Sequence, residues 1–381
     1  MAKLRIKIVA VGIALLVCFF WFLSTKNTEV KNENSIFGRT VFNNNISPGK
    51  TAKNTYKITW PADHASHDDF DIEWWYLTAN LKDEQGEPYG MQWTLFRFRS
   101  LNQSVASEWA NDQVFMSHAS IHSMSAHWFS EKFARGGVGN AGVNSQPFSA
   151  FIDDWEWRNK TDKPDLFPSI LRFTANQKNS SNQDLKAVFT LNQTGPFVLH
   201  GDKGYSIKSG NGKHASHYYS APFIDISGQL VFTNSSNQRL TKNVKGQAWY
   251  DHEWTSQLLD SQTLGWDWLS LHLDDGSKVM AFRMRLDKTN DYITGSYISA
   301  SGKQLTLTSD MLHLKPTGMT TVNNKQLPLS WSLNIPNKNV SLQIQTLKPD
   351  QYNNASVPYY EGMVNVQGSH SGKGFLELTG Y

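Results

Sequence analysis

The chain has 381 residues and carries 36 basic and 33 acidic side chains, for a formal net charge of +3. This near balance, with no basic run beyond the N-terminus, argues against nucleic acid as a partner. The length suits one large domain or two domains with a substantial core. The single cysteine, Cys18, excludes a disulfide, a thiol nucleophile and a cysteine metal site from the rest of the chain.

Residues 1–24 predict an export segment, either a signal peptide or a hydrophobic signal-anchor helix. Basic residues precede an apolar run from Ile8 to Leu23, which is the pattern of such segments. The positive-inside rule keeps the basic end cytoplasmic, so we expect a periplasmic body, tethered to the membrane if the segment is uncleaved. A cleaved signal and a lipoprotein anchored at Cys18 are the alternatives. Residues 25–54, rich in Asn and Lys, predict a polar linker.

The body that follows is predicted to be all-β. Short alternating apolar segments are bounded by Gly, Asn, Asp and Pro, and none shows a sustained helical period. The strongest local signal is Asp275-Gly276, which predicts a hairpin with a two-residue turn. In that register Leu271 faces Met280 and Trp268 faces Arg283.

A second segment resembles this hairpin and indicates an internal duplication. It begins at Trp74, which aligns with Trp266 in the later copy. Two copies predict two related β-units, residues 55–238 and 239–381. Two tandem antiparallel barrels of about eight to ten strands each would account for the length.

The stretch GQAWYDHEWTSQ holds the strongest candidates for chemistry, because three ionisable residues lie among aromatic ones. In a regular strand Asp251 and Glu253 share one face and His252 points to the other. Burial among aromatic rings raises the pKa of an acid and prepares it to donate a proton near neutral pH. The alternative is a strand end at which the acid and the histidine bond to nearby backbone.

Histidine pairs with H-x-x-H spacing occur twice, as His64 with His67 and as His214 with His217. Histidines at close spacing can bind a metal. Both pairs lie in loop-like sequence and match no established metal-site spacing, so the sequence predicts no metal. Surface or capping histidines are the alternative interpretation.

Glu73 is a further acid flanked by tryptophan, in the segment DIEWWY. It predicts an ion pair across its hairpin with Arg97 or Arg99, which is as consistent with a structural role as with a functional one. No G-x-S-x-G serine motif and no phosphate-binding glycine loop is found in the sequence.

Eight segments together carry a family resemblance: EWWYLTANL, GMQWTLFRFR, FMSHASI, HASHYYSAP, GQAWYDHEWTSQ, GWDWLSLHLDDG, MAFRMR and YYEGMVNVQGSHSGKGFLELTGY. They resemble the AttH-like family of secreted lipocalin-like proteins, which is related to carotenoid 1,2-hydratase (hydroxyneurosporene synthase). The resemblance covers residues 55–381 and implies two lipocalin-like barrels with a long apolar ligand site near their junction. It also implies an association with export-type ABC transporter components.

The hydratase branch implies a mechanism in which an aspartic acid protonates a terminal C=C bond and aromatic faces hold the cation. Asp251 matches that acid, and no cofactor is required. The flanks of Asp251 match the AttH branch, so a carotenoid substrate does not follow. The candidate catalytic residues are Asp251, His217, Tyr219, Glu253 and His252, of which the resemblance matches Asp251, His217 and Tyr219. The candidate ligand-binding residues are Trp249, Tyr250, Trp254, Trp266, Trp268, Glu73, Trp75 and Tyr76, of which the resemblance matches Trp249 and Tyr250.

Three functions remain open on the sequence alone. The first is a hydratase or hydrolase acting on a lipophilic substrate. The second is a membrane-tethered carrier of lipids that works beside an exporter, and the third is an interaction protein of the cell envelope. A barrel that holds one ligand suits the first two equally. The predicted partners are a lipophilic small molecule, the membrane and ABC transporter components.

Overall fold

The computed structural model describes residues 49–99, 111–161, 163–177, 184–233, 238–256 and 262–381. Within these ranges the fold is all-β, as predicted, and the helical elements are two 3-10 turns, Ala62–His64 and Pro336–Lys338. Neither turn approaches the length of a membrane-spanning helix. The predicted N-terminal hydrophobic helix lies outside the described residues.

Thirteen strands of the described chain form the first sheet. They are β1 (Ile72–Asp83), β2 (Pro88–Arg99), β3 (Gln113–Ser123), β4 (His127–Arg135), β5 (Ala141–Ser145), β6 (Phe148–Ile152), β7 (Trp155–Asn159), β8 (Ser169–Gln177), β9 (Asp184–Gln193), β10 (Val198–Leu199), β11 (Tyr205–Ile207), β12 (Ala215–Thr233) and β13 (Arg239–Thr255).

Eight of these strands close into an antiparallel barrel. The series β12-β13-β1-β2-β3-β4-β8 is continuous, and β9 pairs with both β8 and β12 to complete the ring. Alternate side chains of each strand fill the interior with an apolar cluster rich in tryptophan and phenylalanine. The short strands β5, β6 and β7 add to this barrel beside β8 and contribute Phe148 and Trp157 to the same cluster.

The second sheet contains ten strands within the described ranges. They are β14 (Thr263–Leu273), β15 (Lys278–Leu286), β16 (Tyr292–Ile298), β17 (Gln304–Leu307), β18 (His313–Val322), β19 (Lys325–Ile335), β20 (Val340–Thr346), β21 (Tyr352–Asn353), β22 (Tyr359–Gly368) and β23 (Gly372–Thr379). Its order is β17-β16-β15-β14-β23-β22-β20-β19-β18, with β21 beside β22. The ends β17 and β18 do not pair with each other, so this sheet is a half-barrel, and the prediction of a second closed barrel is wrong.

The register of the β14–β15 hairpin also differs from the prediction. Trp268 pairs with Phe282, and Asp267 pairs with Arg283. The turn contains three residues, because the Leu273 N–H bonds to the Ser277 carbonyl at 3.0 Å and Gly276 adopts φ +85°. A three-residue loop that ends in a left-handed glycine shifts the register by one residue relative to a two-residue turn.

The two related hairpins share an acid–arginine pair across their strands. Glu73 lies opposite Arg97 in the first, and Asp267 lies opposite Arg283 in the second. The structural correspondence therefore matches Glu73 with Asp267 and places Trp74 level with Trp268, two residues from the alignment read from the sequence.

The predicted boundaries of the β-units also change. The strand β13 pairs with β1 and β12, so the segment expected to open the second unit belongs to the first sheet, and the second begins at Thr263. The body likewise extends before residue 55. The Gly49 N–H donates to Asp71 at 2.9 Å and Lys53 N–H to His217 at 3.4 Å, so the end of the predicted linker is bonded to the barrel.

The two sheets meet along a mixed aromatic and apolar cluster, which we call the junction cluster. Its buried members come from both sheets: Tyr76, Val198, Tyr218, Trp249, Trp268, Met280, Phe282, Met284, Ile298, Met363 and Phe375. Each sheet thus has one face on its own core, and part of its other face lies on the junction.

Candidate functional site

The structure divides the predicted site residues between two places. In the β1–β13 pair, Tyr76 lies opposite Asp251 and Trp75 lies opposite His252. Successive residues of a strand face opposite sides, so Asp251 and Glu253 share one face and His252 takes the other, as predicted. The barrel group comprises His217, Tyr219, Tyr250, His252, Trp254, Glu73 and Trp75. The junction group comprises Asp251, Glu253, Trp249, Tyr76, Trp266 and Trp268.

Glu73 is the centre of the barrel group and is fully buried. Its Oε1 accepts hydrogen bonds from His67 Nδ1 at 2.6 Å and from His252 Nε2 at 2.8 Å, and its Oε2 accepts one from Arg97 Nε at 2.9 Å. The predicted ion pair with Arg97 is therefore present. Burial alone would raise the pKa of Glu73, but His67 and Arg97 hold it well below its usual value.

His67 carries the second positive charge of this group. Its Nε2 lies 3.1 Å from Asp63 Oδ1, and its ring stacks on Trp254 with centroids 3.8 Å apart. Burial alone would lower the pKa of His67, but Glu73 and Asp63 raise it to about 9. Two carboxylates therefore balance one imidazolium and the Arg97 guanidinium inside the barrel.

His67, Glu73 and His252 place three potential metal-ligand atoms within 4.8 Å of one another. The sequence predicted no metal, and the bonding favours an ion-pair network here. Both ring nitrogens of His67 face carboxylates as proton donors, and a guanidinium occupies the second oxygen of Glu73. A metal ion needs free lone pairs on these atoms.

A directed chain of hydrogen bonds leads from Glu73 to the segment before β1. His252 donates through Nε2 to Glu73, and burial lowers its pKa, so its neutral Nδ1 accepts from the Tyr219 hydroxyl at 3.1 Å. That hydroxyl in turn accepts from His64 Nδ1 at 2.7 Å, and burial lowers the pKa of His64 to about 3. This chain fastens the Ala62–His64 turn to the barrel wall.

Asp251 is the acid of the junction group and is 3% exposed. Its Oδ1 accepts hydrogen bonds from Trp249 Nε1 at 2.7 Å and from the Ser220 hydroxyl. Burial raises the pKa of Asp251 to about 7, and these two bonds offset burial only in part. Because both bonds end on Oδ1, a proton on this carboxyl resides on Oδ2.

Glu253 has a different environment although it lies on the same face. Its Oε1 lies 2.9 Å from Lys208 Nζ and also accepts from the Ser216 hydroxyl. The same ammonium lies over the rings of Tyr218 and Phe282, at 4.3 and 4.9 Å from their centroids. The ion pair gives Glu253, predicted as catalytic, a structural partner.

Two acids that the sequence analysis missed face the junction from the second sheet. Glu361 and Glu377 are cross-strand neighbours on β22 and β23. Glu361 Oε1 accepts from the Tyr76 hydroxyl at 2.8 Å, and Glu377 Oε1 accepts from Trp266 Nε1 at 2.7 Å. Burial raises the pKa of Glu361 well above its usual value and that of Glu377 to about 7. The sequence pattern that identified Asp251, an acid within an apolar and aromatic strand, also occurs at these two glutamates and could have found them.

The comparisons with known proteins agree with this architecture. The model of the AttH-like family matches residues 51–381. The chain belongs to the AttH-like family. The predicted resemblance is therefore confirmed over almost the whole body.

Two solved structures are similar to this AttH-like chain. A protein from Nitrosomonas europaea described as an AttH is 29% identical with a TM-score of 0.74, over 87% of this chain and 99% of that one. Kievitone hydratase from Nectria haematococca is 15% identical with a TM-score of 0.61, over 88% of this chain and 97% of that one, which shows a shared fold. Among curated proteins none matches this sequence.

The buried acid at Asp251 makes a prediction about stability and pH. The pKa of Asp251 rises from 3.8 to about 7 on folding. Its contribution to the free energy of unfolding is therefore complete below pH 3.8 and is lost as the pH rises through 7. Asp251→Asn stays neutral at every pH. We expect the unfolding free energy of this variant, relative to wild type, to increase by roughly 2–3 kcal/mol between pH 5 and pH 8.

Urea unfolding of both proteins at the two pH values measures this difference. The matched control is Asp225→Asn, which changes an exposed acid on β12 and should leave the difference constant. A constant difference for Asp251→Asn as well would mean that the Asp251 carboxyl stays ionised when the protein folds.

Proposed function

We propose that this AttH-like protein is an acid-catalysed hydratase of lipophilic alkenes, with its ligand at the junction of the two sheets and Asp251 as the acid. The observation that carries the proposal is the Asp251 carboxyl itself, which is buried beside Trp249 and has a pKa raised to about 7 by burial. An acid of that pKa is protonated in a large fraction of molecules near neutral pH and can donate its proton.

The reaction proceeds in two steps, in which Asp251 first donates a proton and then regains one. The Oδ2 proton adds to one alkene carbon, the π electrons form the new C–H bond, and the other carbon becomes a tertiary cation. Water then attacks the cation and forms the C–O bond, and the Asp251 carboxylate accepts the proton that the water releases. The net change is addition of H₂O across the double bond, and Asp251 returns to its protonated form.

The surroundings of Asp251 suit a cationic intermediate. The aromatic side chains Trp249, Tyr218, Tyr76 and Trp268 belong to the junction cluster, and ring faces attract positive charge. Glu361 and Glu377 add carboxyl groups on the opposite sheet. A cationic intermediate would thus meet π faces at the junction.

The barrel group supports this reaction less well. The Glu73 carboxylate is fully engaged by His67, His252 and Arg97. A carboxylate whose pKa is held well below its usual value has no proton to donate near neutral pH. We therefore assign the barrel group to the stability of the fold.

A carrier of the same ligand class is the second candidate. The junction cluster contains Met280, Met284 and Met363, and methionine side chains adapt to ligands of different shape. Export of the chain, which is expected from its N-terminal segment, is compatible with both candidate functions, because it would place the junction site where envelope lipids occur.

Isotope labelling tests the choice between them. Full-length protein is incubated with isoprenoids that contain trisubstituted alkenes, in D₂O and separately in H₂¹⁸O. A hydratase leaves one carbon-bound deuterium in the first solvent and one ¹⁸O at the tertiary carbon in the second, detected by mass spectrometry. Binding of the same compounds without either label contradicts the hydratase and supports the carrier.

A further inference from the structure

The second sheet holds buried polar atoms that lack partners. Asn353, on β21, is fully buried, and neither its Nδ2 nor its Oδ1 has a hydrogen-bond partner among the described residues. It lies beside the Tyr359 hydroxyl, near enough to influence the pKa of that phenol, but outside hydrogen-bonding geometry. The Oε2 atom of Glu361, also fully buried, has no partner in the same ranges either.

These groups share one face of the sheet, and that face is the junction. Asn353 pairs with Tyr359 across β21 and β22, and cross-strand partners lie on the same side. Glu361 follows Tyr359 by two residues and so faces the same way. Its other oxygen accepts from Tyr76, which lies opposite Asp251 in the first sheet. One hydrogen bond therefore links Glu361 to Tyr76, the cross-strand partner of the proposed acid.

The neighbouring polar groups are already engaged. Tyr359 lies 3.0 Å from His118 Nδ1, and His118 Nε2 lies 2.9 Å from Glu131. The hydroxyl of the third ring nearby, Tyr76, donates its hydrogen bond to Glu361. On this face of β21 and β22, the Asn353 amide and one oxygen of Glu361 lack a partner among the described residues.

The available groups are neutral and include both donors and an acceptor. Because burial raises the pKa of Glu361 well above its usual value, its free oxygen carries a proton that it can donate. The Asn353 amide offers two further N–H donors and one carbonyl acceptor. A neutral oxygen group such as an alcohol complements this set, whereas a phosphate or an ammonium would bring an unpaired charge into a buried site.

We infer that Asn353 and Glu361 form a polar subsite that binds the hydroxyl or another neutral oxygen group of the ligand. The ligand class is then an oxygenated lipid, such as an isoprenoid alcohol, and not a pure hydrocarbon. A site built to hydrogen-bond a hydroxyl discriminates against an analogue that lacks it, because the buried polar atoms stay unpaired. This inference rests on the proposed junction site and names its substrate class.

Calorimetric titration of the full-length protein tests the subsite with a matched pair of probes, geraniol and 2,6-dimethylocta-2,6-diene, the hydrocarbon that lacks its hydroxyl. We expect wild type to bind geraniol at least about tenfold more tightly than the hydrocarbon. Asn353→Leu, which is nearly the same size, should reduce that preference to about twofold or less and leave hydrocarbon binding unchanged. Asn365→Leu, at an exposed position of β22, should keep the full preference.

Glu361→Gln provides a second variant, because glutamine is also neutral and offers a donor and an acceptor. It should keep the preference for geraniol. Equal binding of the two probes by wild type, or a full preference in Asn353→Leu, overturns the subsite and leaves the proposed function standing. Binding of neither probe overturns the junction ligand site and the subsite with it.

Discussion

Glu73→Gln is expected to lower the free energy of unfolding by about 3–5 kcal/mol, because it leaves buried cations without their counter-charge. Glu73 and Arg97 are both fully buried and form an ion pair at 2.9 Å. The glutamine amide keeps the size of the side chain but removes the charge that balances Arg97 and the His67 imidazolium. Urea unfolding at pH 7, followed by tryptophan fluorescence, measures the loss.

Glu156→Gln is the matched control for this experiment. Glu156 pairs with Arg158 at 3.2 Å, but both side chains are more than a third exposed, and such pairs contribute about 1 kcal/mol or less. A loss at Glu73 no larger than at Glu156 would contradict the buried network.

EDTA should leave the unfolding midpoint of wild type unchanged, whereas a fall would show that His67, Glu73 and His252 hold a metal.

The alternation of side chains could be predicted from the sequence, and it carried most of the correct inferences. Period-two alternation separated Asp251 and Glu253 from His252, and it holds in the structure because β13 is regular at these residues. The cross-hairpin proximity of Glu73 and Arg97 was also predictable. Both inferences depend on neighbours along one strand or across one turn.

Long-range contacts were not predictable in the same way. His252 meets Glu73 across 179 residues of sequence, and the barrel closes through β9 and β12. Nothing local in either segment encodes such a partner, so the sequence predicted the two faces of β13 but not the residues that each face meets. The hairpin register failed for a local reason, since Gly276 in the left-handed region permits a three-residue loop as readily as a two-residue turn.

Asp251→Asn is expected to lower hydration of an isoprenoid alkene by about a hundredfold to ten-thousandfold, the usual contribution of a general acid. The amide can still accept hydrogen bonds from Trp249 and Ser220 through its oxygen, so ligand affinity should persist. The measurement is the turnover number, with binding followed in parallel by calorimetry. Wild-type turnover should also fall as the pH rises through about 7, because Asp251 then loses its proton.

Tyr219→Phe is the control that locates the chemistry. It removes only the hydroxyl that links His64 to His252 inside the barrel, and its turnover should stay within about twofold of wild type, since it leaves Asp251 untouched. The opposite pattern, with turnover lost in Tyr219→Phe and retained in Asp251→Asn, would place the reaction in the barrel. It would make the Glu73–His252–Tyr219 chain a catalytic relay in place of a structural one. Chemistry on the junction face of β13 and chemistry on its barrel face therefore predict opposite results for these two variants. Comparison of their turnover numbers decides between the two sites.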